Sequence, residues 1–92
     1  MRVRVFPDYT ADPVWEDTGM VDLDRLPVSA RLVTALRGWA REWEALVGAE
    51  VSRYAIVDEA ALEAWQQRGP RLAQWLQREL GSDYLVEYVS FS

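Results

Sequence analysis

Two stretches of this chain limit what it can fold into. Across 29–47, Leu32, Leu36, Trp39, Ala40, Trp43 and Val47 recur at spacings of three and four, while Arg31, Arg37, Arg41 and Glu44 fall elsewhere. Such spacing puts the apolar side chains on one stripe of an α-helix and the charges off it. Ser29 supplies an N-cap whose hydroxyl can accept free N–H groups of the first turn, and Val28 and Val33 fit a hydrophobic staple across it. Gly48 is the natural stop. A second stripe, Leu62, Trp65, Leu72, Ala73, Leu76 and Leu80, runs through 58–80 behind an acidic cap at Asp58 and Glu59, with Val57 and Leu62 as its staple. Gly69 and Pro70 interrupt that helix, yet the stripe keeps its phase across them. The pattern therefore predicts one kinked helix rather than two, although a proline inside a helix costs about 3 kcal/mol.

Two amphipathic helices need an apolar surface to cover, and the two ends of the chain supply it. "RVRVF" (2–6) alternates at period two, with Val3 and Val5 on one side and Arg2 and Arg4 on the other. "YLVEYVSF" (84–91) sets Tyr84, Val86 and Tyr88 against Leu85, Glu87 and Val89. Arg2, Arg4 and Glu87 are placed to pair across neighbouring strands on the face away from the helices. The expected fold is α+β, or small α/β. Both helices lie on one face of a two- to three-stranded sheet that contains both terminal strands. The segment 49–57, "AEVSRYAIV", is β-rich but poorly alternating. If 51–56 join the sheet, the order becomes βαβαβ with right-handed crossovers.

Ninety-two residues make one domain, spanning 1–92. Half of them are hydrophobic and five are tryptophan, enough for one core and too apolar for a disordered chain. Trp39, Trp43 and Trp65 are expected in that core and Trp75 on its flank. The opening residues alternate instead of forming a charged segment followed by an apolar core, and no apolar run approaches a membrane span of ~20 residues. The expected compartment is the cytoplasm, with no membrane partner.

Charge then narrows the function. Net charge is −5, with no cysteine and no histidine. A bare nucleic-acid backbone would be repelled, so no nucleic-acid partner is expected. Cysteine, histidine and lysine are missing, and no serine has an activating partner, which argues against covalent catalysis and against an enzyme. Residues 8–28 lack a sustained period, are punctuated by Pro13, Gly19 and Pro27, and read as a long loop with room for a short helical turn. Six acids, Asp8, Asp12, Glu16, Asp17, Asp22 and Asp24, fall between 8 and 24, whereas the rest of the chain carries nine acids and ten arginines. Asp22 and Asp24 form a D-x-D pair beside Glu16 and Asp17, a set of oxygens that suits Mg²⁺ or Ca²⁺ in principle. The spacing is not that of an EF-hand, so the expectation is no metal and no cofactor. Trp15 sits among these carboxylates. It either folds back to anchor the loop on the helices or offers an aromatic contact to an arginine-bearing partner.

The run "VWEDTGMVDLDRLPVSARLVTALRGWAREWEALV" (14–47) resembles a pattern in small acidic bacterial proteins: Trp, acids, Gly, V-D-x-D-x-L-P, then a Ser-capped helix with Trp and Leu. That resemblance carries no activity with it. In size, acidity and possible βαβαβ order the chain is also similar to barstar, a nuclease inhibitor. The expectation from the residues is a small acidic interaction protein. In its most specific form it is an immunity or antitoxin-like chain that neutralises a basic toxin domain, with Trp15, Glu16, Asp17, Asp22 and Asp24 at the contact. The alternative is a structural or regulatory module that forms a homodimer or joins a larger complex through Trp75 and the strand edges.

Overall fold

The structure is a computed structural model that describes residues 1–8, 10–47 and 59–89. Its elements run β1 (Arg2–Val5), β2 (Val14–Glu16), β3 (Gly19–Met20), a single 3₁₀ turn (Leu23–Arg25), α1 (Ala30–Val47), α2 (Glu59–Leu80) and β4 (Leu85–Tyr88). The four strands form one mixed sheet in the order β3-β2-β1-β4. β1 pairs parallel with β4, setting Arg2 opposite Leu85 and Val5 opposite Tyr88. It pairs antiparallel with β2, setting Arg4 opposite Trp15. The fold is α+β with both terminal strands side by side, β1 inside the sheet and β4 at its edge.

Period-two alternation decides which face of the sheet is covered. Val3, Val5 and Val14 are fully buried and meet Leu32, Leu36, Trp39 and Trp43 of α1 and Trp65, Ala73, Leu76 and Leu80 of α2 in one core cluster. The opposite face carries Arg2 and Arg4, and Arg2 Nε donates to Glu87 at 2.8 Å. The three core tryptophans sit where the helical stripes place them, and Trp75 packs partly buried at the edge of the cluster.

α1 opens as the sequence predicts. Ser29 Oγ accepts the Leu32 N–H at 3.2 Å, and Val28 and Val33 both pack against the core. The same serine is held from the other helix, because its N–H and hydroxyl both donate to Glu79, which also accepts the Trp75 indole N–H at 2.6 Å. These bonds hold the Glu79 carboxyl below its ordinary range, the Ser29 backbone N–H foremost.

α2 is one continuous helix through Pro70. Gly69 explains the sequence there. A Cβ at that position would collide with the Tyr88 ring, so the missing side chain is what lets α2 lie close against β4. The outer edge of β4 is sealed by a side chain. Gln77 Nε2 donates to the Tyr84 carbonyl at 2.8 Å and Gln77 Oε1 accepts the Val86 N–H at 2.9 Å, in place of a neighbouring strand.

One expectation needs correcting. Residues 8–28 are not a plain loop, because 14–20 form a β-hairpin that extends the sheet to four strands. Strands of three and two residues are too short to show a period, and Pro13 and Gly19 mask them further. The 3₁₀ turn at Leu23–Arg25 is the short helical turn that the stretch has room for. The possible strand at 51–56, the Asp58 cap and the Val57 staple lie outside the described residues.

Candidate partner-binding surface

The acidic segment is built on two supports. The first is the β2–β3 hairpin. Trp15 stands opposite Arg4 on the sheet face away from the helices. It does not reach the helical core. Its ring stacks on Phe6 at 4.9 Å with 9° between the planes, and its indole N–H donates to the Phe6 carbonyl at 3.1 Å. The ring is thereby locked, and the residue is half-buried. At the hairpin turn, Asp17 is 79% exposed and pairs with Arg4 at 3.3 Å. Glu16 accepts the Thr18 hydroxyl at 2.7 Å. Met20 opposite Trp15 is 47% exposed, and its sulfur accepts the Asp12 N–H at 3.1 Å.

The second support is α1. Arg37 on that helix reaches back to three carboxylates of the segment. Its Nε and Nη2 clasp Asp12 at 2.9 and 3.0 Å, a bidentate fork. Asp24 lies 3.3 Å and Asp22 3.6 Å from Nη2. Asp12 also accepts the Leu23 N–H at 3.1 Å, and Asp22 caps the 3₁₀ turn through the Asp24 N–H at 2.9 Å. The guanidinium holds the Asp12 carboxyl below the usual carboxylate range, aided by that backbone bond and opposed by burial. Arg37 itself is raised above its ordinary value by the same contacts.

One cation against three anions leaves an excess of two negative charges, carried outward by Asp22 and Asp24, which are 47% and 69% exposed. The guanidinium stands where a bound cation would stand, and among the described residues no cluster suits a metal ion. The arrangement presents fixed, exposed carboxylates to solvent.

The sequence placed Trp15, Glu16, Asp17, Asp22 and Asp24 in one site. The structure separates them into a hairpin group (Trp15, Glu16 and Asp17) and an Arg37 group (Asp22 and Asp24), joined through β3. Sequence reasoning missed Phe6, Asp12 and Arg37 as the parts that fix them. The one available signal was the local surplus of acid, which requires a cation from elsewhere in the chain.

A family model described as Serratia CdiI immunity protein-like matches residues 1–91. The chain belongs to that family. No curated protein matches it. Among the described residues no helix is long and apolar enough to cross a membrane.

Proposed function

We propose that this chain is a contact-dependent inhibition immunity protein that neutralises a toxin domain by binding it, without chemistry of its own. The observation that carries this reading is the family match over nearly the whole chain. The charge distribution supports the finer reading of a basic toxin surface, with six acids between 8 and 24 in a chain otherwise close to neutral. In this account Asp17, Asp22 and Asp24 steer the toxin and pair with its Arg or Lys side chains. Trp15, held flat by Phe6, supplies the apolar anchor, and Glu16 flanks it. The work is done in the cytoplasm of the producing cell.

The test has two steps. Affinity capture by the tagged chain from its native lysate at low and high salt should retain one basic protein at low salt and release it at high salt. With that protein in hand, changing Asp17, Asp22 and Asp24 together to Asn should slow association and flatten its salt dependence. An unchanged, salt-dependent on-rate removes these residues from the interface.

A second reading is favoured by a specific observation. Met20 and Leu85 are 47% and 56% exposed and belong to the sheet face that the helices leave bare. Self-association through that face would bury them, and a stable dimer in sedimentation would support it.

A further inference from the structure

The flank of the helix pair that does not carry the core stripe has a groove between α1 and α2, about 340 Å³ in volume. Its floor is Ala35, Gly38, Leu72 and the edge of Trp75, and it continues past Thr34 towards the start of α1. Arg31, Arg68 and Arg71 line its rims. Arg68 is paired with Glu42. Arg31 and Arg71 are exposed and make no ion pair among the described residues. An acidic protein thus carries two uncompensated cations beside an apolar trough.

Gly38 adds an independent observation. Glycine inside a helix is unfavourable relative to alanine. At Gly69 the close ring of Tyr88 accounts for it. At Gly38 a Cβ would meet nothing within 4 Å among the described residues. Nothing in the described fold needs that position bare, whereas an occupant of the groove would.

We propose that this groove docks an acidic peptide segment of a partner, with an apolar side chain seated over Gly38 and carboxylates reaching Arg31 and Arg71. The charge complementarity selects that occupant. The proposal does not depend on the acidic segment 8–24 and stands or falls apart from the function proposed above.

The experiment is fluorescence anisotropy of the intact chain with a labelled Glu-Asp-Leu-Phe-Asp-Glu peptide, beside the same peptide carrying Gln and Asn in place of its acids. Saturable binding is expected for the acidic peptide, with the neutral one weaker by about tenfold or more. Arg71→Gln should weaken binding by about tenfold. Gly38→Leu should abolish it without lowering the melting temperature, and the Asp17, Asp22 and Asp24 to Asn variant should bind the peptide at least as well as the parent. The proposal is overturned by absence of saturable binding, by equal affinity for the two peptides, or by equal affinity of the Arg71→Gln and Gly38→Leu variants with the parent. A dimer that Gly38→Leu disperses would also overturn it, by assigning the groove to a second copy.

Discussion

Trp39 and Trp65 stack at 4.4 Å with 5° between their rings, and each donates its indole N–H to the other's main-chain carbonyl, at 3.0 and 2.7 Å. The two rings clamp α1 to α2 from both sides, and both polar ends are satisfied without water. Trp65→Phe keeps an aromatic ring but loses a buried bond and part of the stack. It should cost about 2–3 kcal/mol, and Trp65→Ala about 3–5 kcal/mol, in urea unfolding. A double-mutant cycle with Trp39→Phe should return a coupling of about 0.5–1.5 kcal/mol or more. Additive losses would mean that the pair does not act as a unit.

The two helix-interior glycines should respond to alanine with opposite sign. Gly38→Ala meets open space and should stabilise the chain by about 0.5–1 kcal/mol. Gly69→Ala drives a methyl into Tyr88 and pushes that ring away from Trp39, whose centroid lies 6.3 Å from it. The expected loss is about 1–3 kcal/mol. Thermal melts of the two variants side by side decide the matter, and a shift of the same sign in both would refute the packing argument.

Acid should weaken the fold through Asp12 and Glu79, both of which titrate below their ordinary ranges. A carboxyl with a depressed folded pKa contributes stability that is complete above its unfolded pKa. That contribution is lost as pH falls through the folded value. Unfolding free energy measured from about pH 7 down to about pH 3 should therefore decline at the acid end. Asp12→Asn should lower the plateau and make the decline shallower, since Arg37 loses its fork in every protonation state. An unchanged acid limb in that variant would show that Asp12 is not one of the groups responsible.

Gln77→Ala should open the outer edge of β4. The amide also donates to the Gly81 carbonyl at 3.0 Å, so three bonds to the backbone are lost at once. A loss of about 1–2 kcal/mol is expected. The more diagnostic result is concentration-dependent light scattering, as freed strand groups pair between molecules. A variant that is destabilised yet stays monodisperse would leave Gln77 a bonding role without an edge-sealing one.

The helices and terminal strands were legible because their periods persist. Leu32 to Trp43 and Leu62 to Leu80 repeat for several turns, and the phase survives Pro70 because Gly69 sits on the buried face. The hairpin was not legible. Val14–Glu16 and Gly19–Met20 offer too few residues for alternation to register, and they become strands by pairing, the first with β1 and the second with the first. Trp15 was named as a contact residue from its acidic surroundings, but its stacking on Phe6 depends on strand register, which one sequence does not specify. The tie from Arg37 to Asp12 spans 25 positions. Charge balance implies that such a tie exists and cannot say which arginine makes it.

The pairing of β1 with β4 has a consequence for when the protein comes into being. Arg2 finds Glu87 across 85 positions, and the Met1 amine donates to the Asp83 carbonyl at 2.7 Å. A nascent chain can wind α1 and pair β1 with β2 early, but the β1–β4 pairing waits until the residues of β4 have left the ribosome. Contacts so far apart in sequence also slow the closing step once they are available. On the function proposed above, a toxin reaching the cell would thus be met by the stock of already finished molecules, and half-made chains would offer no protection.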